Sequence, residues 1–417
     1  MTESLGIYIP VTLFQRAIGL VRVLLFVYLL EDVQARYGLW GLGVMIFTLS
    51  CPIITLGSYH GLVRYVSFYE ARGQLLQFYR RVRWYILACA SVMTLAGVLA
   101  SGEITRMVFT SRFSPGGWHN HYEQVRQYHY HFYLCLLAVA NGAMLALYHN
   151  VRGFLVGMRL YRAVSFLEVL FTVGFTSIGA IVLIFKPYAD SLLWAHLGCL
   201  AGVFVVALVL LDRAVNLAAS LVSRRGEQVI ADADSDISGL DSTLLKQDER
   251  LEGASGEMDR GFFWRVLKFG FISTVAGFVW QGAGYISFLL TSRYYGKVAA
   301  AVFFAFLPAG QAILSLADAA RIVLFTHVAK FWEAHERHLA SFILETSYKA
   351  LALATMSLTV LIYITSPLWV KVLPMNYHKE GLKLLGGILM FFQVGIHLTL
   401  CLLYTSDAAD EGLGVDL

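Results

Sequence analysis

Long apolar runs broken by short polar loops fill most of the chain. Residues 7–30, 39–66, 82–100, 130–148 and 163–185 each hold enough continuous apolar character to cross a bilayer. Residues 191–211, 262–290, 298–328, 344–368 and 382–403 do the same, so the pattern predicts about ten transmembrane helices grouped as six and then four. Between the groups runs a polar stretch containing ADADSDISGLDS and KQDERLEGASGEMDR, too charged and too poor in aromatics to pack a core. The predicted organisation is therefore an N-lobe at 1–212, a flexible cytoplasmic linker at 213–261 and a partial C-lobe at 262–403.

Composition agrees with that pattern and narrows it. The 417 residues are 58% hydrophobic and only 14% charged, whereas a soluble domain carries about a quarter charged residues. Such a chain cannot cover itself for water, and the fold class it predicts is all-α, a polytopic helical membrane protein built as a two-lobed transporter bundle. The net charge of +4 gives no electrostatic support for a nucleic-acid partner. Lys and Arg concentrate in the loops on the N-terminal side, among them Arg72, Arg80, Arg81 and Arg83, which predicts a cytoplasmic N-terminus in a cytoplasmic membrane. The five cysteines stand singly without metal-ligand spacing. No phosphate loop, HExxH or GxSxG occurs, so neither an enzyme nor a cofactor is expected.

Ionisable groups inside spans are costly and therefore informative. The first span carries Gln15, Arg16 and Arg22; Arg64 lies near the end of the second and Glu168 in the fifth. Arg16 and Arg22 are separated by about 9 Å of helix rise and about 600° of rotation. They sit on flanks that can both line one wide cavity; the alternative is that Arg16 reaches lipid phosphate and Arg22 pairs with an acid such as Glu168. Arg64 can be interfacial or touch substrate. Asp318 with Arg321, and Glu345 with Lys349, have helical spacing for mutual neutralisation, with ion coupling as the other reading for these pairs and for Glu168. His119, His121, His129 and His131 form two H-x-H pairs, but interleaved Trp and Tyr fit an interfacial aromatic belt better than a metal site. A short echo, Leu29-Leu30 leading to Tyr37-Gly38 and Leu289-Leu290 leading to Tyr295-Gly296, suggests an internal repeat with substrate between two lobes.

The run QRAIGLVRVLLFVYLLEDVQARYGLWGL, the following LGSYHGLVRYVSFYEARGQ, and RGFLVGMRLYRAVSFLEVL at 152–170 resemble polysaccharide-biosynthesis flippases of the multidrug/oligosaccharidyl-lipid/polysaccharide exporter superfamily. The shared features are R-x-x-G-x-x-R at Arg16, Gly19 and Arg22, Tyr37-Gly38 with Trp40, and Gly153, Gly157 and Glu168. This resemblance implies two six-helix lobes in a V that carry a polyprenyl-diphosphate-linked oligosaccharide across the membrane. Its partners would be that lipid-linked oligosaccharide, membrane lipids and other polysaccharide-assembly proteins. First-helix arginines bind the substrate headgroup in the lipid II flippases of the superfamily, and the resemblance carries that role to Arg16 and Arg22; Gln15 and Arg64 are further substrate-binding candidates from their positions in the spans alone. The family's cation on the seventh helix has no clean counterpart; Arg265 and Lys268 lie at that helix's end. The string CLLYTSDAADE at 401–411 looks like a translated sequencing adapter, so the native sequence is expected to stop near Leu400 and 404–417 to be a non-native tail. Two other readings remain at this stage. A multidrug cation exporter would want acidic groups in the N-lobe, and a membrane-embedded polysaccharide polymerase would use the loop holding Glu103, Glu123 and the histidines.

Overall fold

The protein, as a computed structural model, is described at residues 2–30, 33–71, 74–109, 121–235, 262–333, 337–371 and 384–396. Those residues form helices and short connections, with no strand among them. The first seven helices are α1 (Thr2–Leu29), α2 (Val33–Thr55), α3 (Ser58–Ala71), α4 (Leu75–Phe109), α5 (His121–Gly157), α6 (Tyr161–Phe185) and α7 (Ala189–Ser235). After the charged stretch come α8 (Phe262–Glu333), α9 (Arg337–Val370) and the shorter α10 (Leu384–Ile396). Eight described segments are long and apolar enough to cross a membrane, from Pro10–Leu29 to His338–Leu368. The chain is a multi-pass helical membrane protein, and its apolar residues on the outside, such as Leu99 of α4 and Leu368 of α9, face lipid.

Three departures from the hydropathy reading have local causes. The second predicted span, 39–66, is two helices, because Leu56 and Gly57 both take positive φ (46° and 79°) and end α2. The break is held by Ser58, whose hydroxyl donates to the Thr55 carbonyl at 2.6 Å, and which also meets Asn150 Oδ1 at 2.5 Å. Helix α7 runs on to Ser235, past the position where the linker was expected to begin. Alanine, leucine and glutamate in NLAASLVSRRGEQVIADADS favour helix there even though the charge density looks linker-like. The predicted spans at 262–290 and 298–328 are joined through Gly296, at φ 86° and ψ 175°, a conformation open essentially to glycine alone. The echoed positions differ in environment, since Tyr37 is buried while Tyr295 is exposed.

Helix α2 is central, packing on α5 on one side and α8 on the other, while α1 lies against α6 and α8. The contact between α3 and α5 is made close by a glycine. A Cβ on Gly157 would stand 2.7 Å from Val66 Cβ and 3.1 Å from the Leu62 carbonyl, so α5 and α3 touch backbone to backbone. Because α1 and α2 contact helices from both halves of the chain, the space they enclose is bounded by both halves.

Candidate functional site

That space is a cavity of about 370 Å³ bounded by α1, α2, α5, α6 and α7 on one side and by α8 and α10 on the other. Arg16 and Arg22 of α1 both line it. Side chains on a helix lean toward its N-terminus, and Nη2 of Arg22 follows this, lying 4.0 Å from the position a Cβ would take on Gly19. The guanidinium thus folds back past Gly19, the middle residue of R-x-x-G-x-x-R, and two like charges share one cavity. The Arg22 guanidinium also sits over the Phe175 ring, 5.1 Å from its centroid.

The wall opposite α8 is aromatic. His196 of α7 stacks on Phe47 at 4.7 Å and meets Phe175 and Phe171 edge-on at 4.9 and 5.3 Å. Asn141 of α5 holds this ring in place. Its Nδ2 donates to the carbonyls of Leu137 and Leu193 at 2.8 and 3.2 Å, which leaves Oδ1 to accept from His196 Nδ1 at 2.7 Å. That assignment fixes the Nδ1–H form of the imidazole. From the other half come polar groups, Tyr285 beside Thr48 and Gln311, with Ser315 one turn further along α8. The cavity thus offers two permanent cations, a flat apolar wall and neutral hydrogen-bonding groups, a set suited to an anion carried on a ring or chain.

The remaining predicted residues lie elsewhere. Gln15 turns away from the cavity, its Nε2 donating to Glu168 Oε2 at 3.3 Å. Glu168 takes Arg152 as its ion partner, with Nη2 at 2.6 Å and Nε at 2.7 Å from Oε1, so the alternative pairing of Glu168 with Arg22 is not what forms. Arg152 Nη1 further donates to the Tyr59 hydroxyl at 3.0 Å, tying α3, α5, α6 and α1 into one polar knot. Arg64 is exposed on α3 against the Tyr65 ring. Lys349 donates to Glu345 at 2.6 Å on an exposed turn of α9, away from the cavity. The side chains of Asp318, Arg321, Arg265 and Lys268, as well as His119 and the 404–417 tail, lie outside the described residues. His131 is buried against Phe109 while His129 is exposed, so these two histidines point apart; among the described residues no cluster of metal-ligating groups forms.

Sequence reasoning missed His196, Asn141 and the aromatic wall. The available signal was a lone histidine in the first third of the sixth apolar run, in LLWAHLGCL.

No protein-family model and no curated protein matches the sequence. Solved structures do match. A MATE protein in complex with MaL6 is 13% identical, with 95% of this chain and 79% of that one covered and a TM-score of 0.57. A MOP superfamily transporter from Pyrococcus furiosus, described by a binding pocket of reverse polarity that suggests a different function, is 12% identical over 96% of this chain and 84% of that one, with a TM-score of 0.58. An outward-facing multidrug resistance MATE family transporter of the MOP superfamily gives 12%, 94%, 84% and 0.56 in the same order. At such identities the fold is what is shared: this chain has the polytopic helical fold of those transporters.

Proposed function

We propose that this protein is a flippase that moves a polyprenyl-diphosphate-linked oligosaccharide across the cytoplasmic membrane by alternating access, with its N-terminus on the cytoplasmic side. The observation that carries the reading is the placement of Arg16 and Arg22 in one cavity bounded by both halves of the chain. A diphosphate must cross apolar surroundings with its charge neutralised, and the planar, permanently charged guanidinium forks supply paired hydrogen bonds to its oxygens. The aromatic wall built by Phe47, Phe171, Phe175 and His196 gives flat faces against which a sugar or an isoprene unit packs. The shared fold with MOP superfamily transporters supports movement between two access states. Movement would reshape the cavity wherever α1 and α2 contact α8.

A second reading, a multidrug cation exporter, draws on the same aromatic wall, since ring faces attract cations. Two arginines in the same space oppose it. An export complementation assay with Arg22→Ala and Arg22→Lys separates the two. Export is expected to be lost in the alanine variant and partly kept in the lysine variant, which retains charge without the fork. Full export in both would remove Arg22 from the mechanism, and raised resistance to cationic dyes on overexpression would favour the second reading.

A further inference from the structure

A second concave site lies away from the central cavity, in a groove between α4 and α7. It encloses about 450 Å³, headgroup-sized rather than ion-sized, and its polar lining is Tyr79, Arg80, Arg81, Arg83, Asp212 and Asn216. On a helix, Arg80 and Arg83 are about 60° apart and share a face with Leu87, while Tyr79 and Arg81 line the groove from the two flanks, each about 100° from Arg80. Arg83 lies over the Trp84 ring at 5.6 Å, and Trp84 is 67% exposed, as an aromatic at the membrane boundary is expected to be.

Depth follows from the helix itself. Arg83 and Arg106, the latter ion-paired with Glu103 at the other end of α4, are separated by about 34 Å of helix, close to the roughly 30 Å of a hydrocarbon core. Arg80 and Arg83 thus stand at headgroup level. From there both walls turn apolar in step. Along α4 the exposed apolar positions that follow are Leu87 and, further round the helix, Leu95, 41% and 61% exposed. Along α7, Asn216 and Asp212 are followed on the same face by Val209 and Val205, 47% and 58% exposed. Beyond the charged groove, toward the bilayer centre, both helices therefore present exposed apolar surface.

The mouth carries both signs. Arginine forks suit a phosphate, but a purely anionic headgroup would also face the Asp212 carboxylate, whose hydrogen bond among the described residues comes from Asn216 at 3.2 Å. We infer that this groove binds a glycerophospholipid whose headgroup joins a phosphate to a primary ammonium, the phosphate on Arg80 and Arg83, the ammonium on Asp212, and the acyl chains along Leu87, Leu95, Val209 and Val205. The lipid is a bound partner of the fold and is distinct from the cargo in the central cavity.

The test is lipid retention measured by native mass spectrometry, after reconstitution in nanodiscs of equal phosphatidylethanolamine and phosphatidylglycerol. The wild-type protein is expected to retain phosphatidylethanolamine preferentially. Arg80→Gln and Arg83→Gln each lower that retention about five-fold, the weight of one basic group at a lipid surface. Asp212→Asn is expected to swing the preference toward phosphatidylglycerol, a gain that misfolding cannot imitate. Arg22→Ala leaves retention unchanged, and millimolar inorganic phosphate does not displace the lipid. Enrichment of phosphatidylglycerol in the wild type, retention indifferent to all three groove variants, displacement by inorganic phosphate, or loss in Arg22→Ala would each overturn the inference.

Discussion

Removing either partner of the Arg152–Glu168 pair should destabilise the N-terminal half far more than removing both. The two side chains are 16% and 15% exposed, and Arg152 places two nitrogens within 2.7 Å of one carboxylate oxygen while a third holds Tyr59. With one partner gone, the other is left charged and poorly solvated at a helix junction, at a cost of about 3–5 kcal/mol. Replacing both by apolar residues of similar volume, Arg152→Met with Glu168→Leu, removes the stranded charge; it leaves the loss of the Tyr59 and Gln15 hydrogen bonds, about 1 kcal/mol each. A double-mutant cycle measured by chemical unfolding in mixed micelles should therefore give a coupling energy of about 2 kcal/mol or more. Single variants as stable as wild type, or a double variant costing the sum of the two, would refute the structural role of the pair. A cost near the sum, combined with an altered pH dependence of transport in Glu168→Gln alone, would move Glu168 to an ion-coupling role.

Other expectations concern backbone and wall. Gly296→Ala should cost about 1–3 kcal/mol through backbone strain alone, because nothing lies within 4 Å of the added Cβ; the same unfolding measurement reports it. Gly157→Ala pushes a methyl to 2.7 Å from Val66 Cβ and should cost about 1–3 kcal/mol by forcing α3 and α5 apart; Val66→Ala should not rescue it, since that Cβ and the Leu62 carbonyl both remain. His196→Phe keeps the stacking but leaves Asn141 Oδ1 without its donor, for a loss of about 1–3 kcal/mol that Asn141→Leu in the same chain should largely remove.

The hydropathy pattern made the class of fold legible because a bilayer asks for long apolar helices and little else. It could not show the break at Leu56-Gly57, since apolar character runs straight through it and the deciding property is a backbone angle; Gly57 following Pro52 was the only mark. The arginines of the first helix were legible for the opposite reason: a cation in an apolar run is expensive enough to need an explanation. His196 and Asn141 escaped because neutral polar groups in such a run look like packing. The partner of Glu168 was open to inference from chain geometry alone. Arg152 and Glu168 are equidistant from Leu160, in the turn between α5 and α6, so an antiparallel helix hairpin sets them side by side. Charge complementarity without that register pointed to Arg22 instead.

Direct binding tests the central proposal most sharply. Titrating a polyprenyl diphosphate into the purified protein in nanodiscs, beside the matching polyprenyl alcohol, separates recognition of the anion from recognition of the chain. Tight binding of the diphosphate is expected, with much weaker binding of the alcohol and a loss of about ten-fold or more in diphosphate affinity for Arg16→Gln and for Arg22→Gln, as for hydrogen bonds to a charged group. Equal affinity for diphosphate and alcohol, or diphosphate affinity unchanged in both variants, would contradict the proposal.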